Sequence, residues 1–175
     1  MHAINKRGQI QLSFGMIFSI FIIIATVIIA GYVIIQFVSN KDNAQCKIYY
    51  QKLQDSIDDA WKGDSSGIDV RREPYPSLSE NMNSVCFGNI SQQVLSSKDA
   101  SLLEDISLYA KRESNFFFYP SNSCGSGNTA FILKHIKTIG FFCVPVEKGK
   151  IGIKLIKGKS DSLVNICDSR AADCK

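Results

Sequence analysis

One uncharged apolar run constrains this chain more than any other feature. After Lys6 and Arg7 no charged residue occurs until Lys41, and Leu12 to Val38 is broken only by Ser13, Gly15, Ser19, Thr26, Gly31 and Gln36. A bilayer core about 30 Å thick is crossed by about 20 apolar helical residues, so this run spans one with tilt to spare. It exceeds the apolar stretch of about 7–15 residues in a secretory signal, and no A-x-A-like site follows it. A buried core helix fits badly, because no second hydrophobic helix of similar size is there to cover it. The expectation is a single transmembrane helix over residues 9–40, with the lipid bilayer as its first partner.

The flanks and the cysteines give that helix a direction. Lys6 and Arg7 precede the span and no acidic residue occurs before Asp42, which makes residues 1–8 a cytoplasmic basic leader. Residues 41–175 then form an extracytoplasmic domain. Lys41 and Lys47 make the far flank basic too, so the cysteines are a needed second vote. All six (Cys46, Cys86, Cys124, Cys143, Cys167 and Cys174) follow the span. An even number in a small domain suits an oxidising exterior and up to three disulfides, with about 15 pairings open. Within them, Cys167 and Cys174 suit a local bridge, Cys86 and Cys143 a core pair, and Cys46 a bridge from helix to sheet. Asn89-Ile90-Ser91 is an N-glycosylation sequon, meaningful in an exported domain.

Beyond the span the helical pattern continues. Cys46, Tyr50, Leu53, Ile57 and Ala60 recur at steps of four and three, with Tyr49 and Trp61 beside them, while Lys52, Asp55, Asp58, Asp59 and Lys62 take the other faces. Gly63 and the Asp-Ser-Ser-Gly that follows stop it. A continuous helix from about residue 10 to 62, near 80 Å long, is favoured over two helices broken at Ser39-Asn40-Lys41. Residues 41–62 are its amphipathic continuation. A second amphipathic helix is expected over Ser97 to Arg112. Short β-rich runs are expected at Ser84–Phe87, Phe116–Tyr119, Thr129–Ile136, Thr138–Val146, Ile151–Ile156 and Leu163–Cys167, with a turn at Glu147-Lys148-Gly149-Lys150. The fold class is therefore α+β: a long N-terminal helix packed on a C-terminal antiparallel sheet of four or five strands, with one further helix and disulfide staples.

Catalytic, metal and cofactor constellations are weak. His2 lies in the leader, and His135 reads as a solvent-facing strand residue. Cys143 with His135 would make a nucleophile and base at generic spacing, but six cysteines favour disulfides. No C-x-x-C occurs. Asp64-Ser65-Ser66-Gly67-Ile68-Asp69 lacks the terminal Glu of a calcium loop. Cys124-Gly125-Ser126-Gly127-Asn128 lacks the Lys-Ser/Thr ending of a phosphate loop. No catalytic residue, metal ligand or cofactor is assigned. Without Lys6 and Arg7 the balance is 18 basic to 16 acidic residues, with no basic stripe for nucleic acid.

Lys6-Arg7-Gly8-Gln9 followed by a long hydrophobic helix and a β-rich domain resembles an archaeal type IV pilin-like protein, or a related small archaeal single-span membrane protein of undefined role. The resemblance covers residues 6–60 by motif and the remainder by architecture. It implies prepilin peptidase cleavage between Gly8 and Gln9, with Lys6 and Arg7 holding the site at the inner membrane surface and the mature chain starting at Gln9. Many pilins carry Glu at the fifth mature position, where this chain has Ser13. Gly15, Ser19, Thr26 and Ala30 fall within about 60° of one another around the helix, a small-residue stripe suited to close helix packing. Small residues are also frequent in any membrane helix.

These readings converge on a membrane-anchored, pilin-like structural subunit that assembles through its hydrophobic helix. It would self-associate or join related subunits, expose a disulfide-stapled domain at the cell surface or in a filament, and offer Pro120 to Asn128 as an adhesive loop. The alternative is an uncleaved signal anchor whose ectodomain is a surface binding module.

Overall fold

A computed structural model describes residues 14–63, 67–72, 74–94, 96–125, 127–171 and 174. The chain divides into two units, Met1–Val38 and Ser39–Lys175. Helix α1, Phe14–Lys62, is unbroken for 49 residues, so Ser39-Asn40-Lys41 does not interrupt it. No Pro or Gly lies between Tyr32 and Lys62 to interrupt the backbone hydrogen bonds.

In the first unit every large apolar side chain from Met16 to Phe37 is exposed. A helix that is apolar all round requires apolar surroundings on every side. Among the described residues this is the one helix long and apolar enough to cross a membrane. At 1.5 Å per residue, Phe14 to Val38 covers roughly 37 Å, more than a hydrocarbon core of about 30 Å.

The second unit is α+β. Its strands are β1 (Ile68–Asp69), β2 (Ser84–Phe87), β3 (Phe116–Tyr119), β4 (Ala130–Phe131), β5 (Ile136–Lys137), β6 (Phe142–Pro145), β7 (Ile153–Ile156) and β8 (Val164–Asp168). They divide over two four-stranded sheets, ordered β1-β7-β8-β5 and β4-β3-β2-β6. All pairings are antiparallel except β5 with β8. The expected single sheet of four or five strands is thus two sheets, both antiparallel-rich.

The reason lies in how the chain changes sheets. The expected strand Thr129–Ile136 breaks after Phe131, because β4 belongs to one sheet and β5 to the other. In between, side chains replace a neighbouring strand as hydrogen-bond partners. Tyr50 donates its hydroxyl to the Ile132 carbonyl (2.8 Å), Asn115 clamps both backbone groups of Leu133 (2.7 and 2.9 Å), and Gln54 accepts from the Lys134 amide (2.9 Å). The expected strand Thr138–Val146 starts only at Phe142, after the chain has crossed back. Glu147-Lys148-Gly149-Lys150 does form a turn, bridged between Glu147 and Lys150, with Lys148 and Gly149 at φ 53° and 74°. That left-handed pair fits a type I′ turn, which Gly149 adopts without steric cost. It joins strands of different sheets.

Strand alternation builds the core. Val85 and Phe87 of β2, Phe116 and Phe118 of β3, and Phe142 and Val144 of β6 join one buried cluster with Ile153, Leu155, Val164 and Ile166 of the other sheet. Cys46, Tyr49, Leu53, Ile57 and Ala60 of α1 complete it, so the amphipathic stripe is the helical wall of this core. The opposite side chains, Cys86 and Phe117, pack with Phe141 and with Ile106 of helix α2 (Ser97–Ser107). Ser96 caps α2 by accepting from the Asp99 amide at 3.1 Å. The helix ends five residues before the expected Arg112. The last turn tightens, with Leu108 and Tyr109 donating to carbonyls three residues back, and Tyr109 turns into the smaller cluster to donate to the Phe118 carbonyl at 3.2 Å.

Candidate functional site

The exposed stripe on α1 is built from backbone outward. Ser19 returns its hydroxyl to the Gly15 carbonyl and Thr26 to the Ile23 carbonyl, both at 2.8 Å. Each hydroxyl is satisfied within its own helix, so neither is left as an unpaired polar group on this apolar segment. What Gly15, Ser19, Thr26 and Ala30 offer is small volume along one line. The proposed cleavage residues Lys6, Arg7, Gly8 and Gln9 lie outside the described residues, as does Ser13.

All six cysteines are paired, as Cys46–Cys124, Cys86–Cys143 and Cys167–Cys174. Cys86 and Cys143 face each other directly across β2 and β6, with Cα atoms 4.0 Å apart. Cys46 ties α1 to the loop after β3, and the approach there is close: a Cβ on Gly127 would overlap the Asn43 carboxamide. The Pro120–Asn128 loop is therefore pinned to the helix. Within it Ser123 and Cys124 are buried, which reduces the part that can contact another surface. In the chain-entropy account, the first two bridges, separated by 78 and 57 residues, contribute about 4 kcal/mol each and the local third about 2 kcal/mol.

His135 is not a solvent-facing strand residue. It sits in the bend before β5 at φ 62°, stacked flat on Trp61 with ring centroids 3.9 Å apart. Its Nδ1 shares a 3.0 Å hydrogen bond with the Asp58 carboxylate, which also accepts from Gln54 at 2.8 Å. The His135 hydrogen bond holds the Asp58 carboxyl below the usual carboxylate range, with Gln54 and Lys62 acting in the same direction. Trp61 in turn donates its indole N–H to the Ser162 carbonyl at 2.9 Å, and Lys157 reaches the Trp61 carbonyl. The cluster fastens the end of α1 to the loops flanking β5 and β8. Sequence reasoning missed it; the available signal was Asp58 and Trp61 at i, i+3, which share one helix side. Cys143 cannot pair with His135 as a nucleophile, because its sulfur is bonded to Cys86.

A buried tyrosine, Tyr49, and a half-buried one, Tyr109, complete the electrostatics. Burial pushes the Tyr49 and Tyr109 hydroxyls well above the ordinary phenol range, so both stay neutral.

Asn89 lies half-buried in the loop after β2. Its Oδ1 accepts from the Ser91 amide (3.0 Å) and hydroxyl (2.7 Å), and its Nδ2 donates to the Arg112 carbonyl (3.1 Å). The Asp64–Asp69 segment lies partly outside the described residues.

No protein-family model, curated protein or solved structure matches this chain.

Proposed function

We propose that this chain is a membrane-anchored, pilin-like structural subunit, inserted with its leader inside and its α+β domain outside, and assembled through the hydrophobic part of α1. One observation carries the reading: a single helix has an all-round apolar segment from Met16 to Phe37, while its later turns form the wall of a disulfide-stapled core. The apolar segment supplies lipid anchorage, and the stripe Gly15, Ser19, Thr26 and Ala30 supplies a line of close approach for a neighbouring helix. The three bridges fit a domain that works in an oxidising exterior.

Assembly is tested by replacing Gly15 and Ala30 together with Leu in the full chain in membranes. Bulk on the stripe should reduce helix-to-helix crosslinking and filament yield at least severalfold while the domain keeps its disulfides. Unchanged crosslinking and filament yield would sink the assembly role. They would leave the alternative, an uncleaved anchor presenting a surface binding module.

A further inference from the structure

We propose that Asn89 is an N-glycosylation site, taking a saccharide from a polyprenyl phosphate-linked donor. The inference rests on the outward orientation of the domain proposed above. Asn89-Ile90-Ser91 supplies the acceptor pattern, and the folded loop holds its groups in a matching arrangement. The Ser91 hydroxyl donates to Asn89 Oδ1 at 2.7 Å and the Ser91 amide to the same atom at 3.0 Å, an Asx-turn that draws electron density toward the carbonyl oxygen. Both bonds fall on Oδ1, which leaves Nδ2 as the nitrogen that reacts. Nδ2 carries two hydrogens and donates to a single backbone acceptor, the Arg112 carbonyl at 3.1 Å. A second position on the nitrogen remains for a substituent, so the finished linkage is compatible with this loop.

The surroundings suit a sugar. Asn89 lines an open cleft of about 220 Å³ together with Gln92, Glu113, Asn115, Lys137 and Thr138, a mostly polar wall to which Ile136 adds an apolar side. Its polar atoms match the hydroxyls of a first saccharide unit better than an apolar ligand. Gln92 is already fixed there, accepting from the Asn89 amide (2.8 Å) and the Thr138 hydroxyl (3.0 Å), so the cleft is preformed. In the transfer step Nδ2 bonds to the anomeric carbon as that carbon's bond to the phosphate oxygen breaks. The polyprenyl phosphate leaves with the bonding pair, and one Nδ2 proton passes to base.

The test uses the full chain purified from the membranes of its own host, with mass spectrometry of the tryptic peptide that ends at Lys98. The account predicts a peptide carrying the added mass of a saccharide at Asn89. That mass should be lost in Asn89→Gln and Ser91→Ala and kept in Ser91→Thr, which preserves the hydroxyl. Disulfide mapping and external protease digestion of the same preparations report folding and orientation. An unmodified Asn89 in a disulfide-paired, externally digestible domain overturns the glycosylation site and leaves the orientation standing. An unmodified Asn89 with free thiols and a protected domain overturns both. Retention of the saccharide in Ser91→Ala would contradict the role given to the hydroxyl.

Discussion

The two parts of α1 share one backbone conformation and bury their side chains in opposite ways. Ile28 is 66% exposed, and every other large apolar residue from Met16 to Phe37 is exposed as well, whereas Leu53 and Ile57 are 0% exposed. The difference comes from pattern rather than helix propensity. In the first part apolar residues cover all faces, a pattern that calls for apolar surroundings on every side and makes this helix apolar enough to cross a membrane. In the second part they recur at steps of three and four, leaving Lys52, Asp55 and Asp59 to the other faces, and one stripe meets the core of two sheets. One continuous helix thus changes period along its length, from an all-round apolar segment to a one-sided core wall.

Substitutions can break or sharpen this contrast. The largest effect is expected from Cys46→Ser with Cys124→Ser, which should lower the unfolding free energy of the domain by about 4 kcal/mol. Denaturant unfolding of the full chain in micelles checks it, and the apolar segment should keep its membrane insertion. Next, Leu53→Ala should cost about 3 kcal/mol of domain stability by leaving a cavity, while Ile28→Ala should leave domain stability unchanged. Equal losses at both positions would erase the contrast.

Ile28→Arg should oppose insertion by about 2.5–3 kcal/mol and reduce the carbonate-resistant membrane fraction, with the domain still able to form its disulfides. The smallest effect concerns Asp58. Its carboxyl titrates below the usual range in the folded domain, so its stabilising contribution is full above about pH 4 and fades as the pH falls through the lowered value. Its side chain is one-third exposed, which keeps this below about 1 kcal/mol. Asp58→Asn should remove that part of the pH dependence in thermal unfolding measured between pH 2 and 6.

The sequence was most readable where one period ran long. The apolar run, the amphipathic stripe through Ala60 and the α+β class follow from spacing, β2 and β3 coincide with their short β-rich runs, and β7 and β8 start two residues and one residue later than expected. Readability failed where side chains replaced local partners. Nothing in Thr129–Ile136 announces that Tyr50, Gln54 and Asn115 will satisfy its backbone and let the chain change sheets. The same holds for His135: a strand-like neighbourhood hid a left-handed residue whose partners, Asp58 and Trp61, lie more than seventy positions earlier. Cysteine pairing was partly open because spacing cannot choose among connectivities, and the Cys46–Cys124 bridge depends on how the loop after β3 folds back to α1.

The central claim is a pilin-like subunit assembled through its apolar helix, for which cleavage after Gly8 is the expected processing, and the mature amino terminus tests it most directly. Terminal sequencing of the chain isolated from its native membranes should give Gln9-Ile10-Gln11-Leu12-Ser13, the product of cleavage after Gly8. A mature chain that still begins at Met1 would contradict the processed-subunit account and identify the apolar segment as a resident anchor.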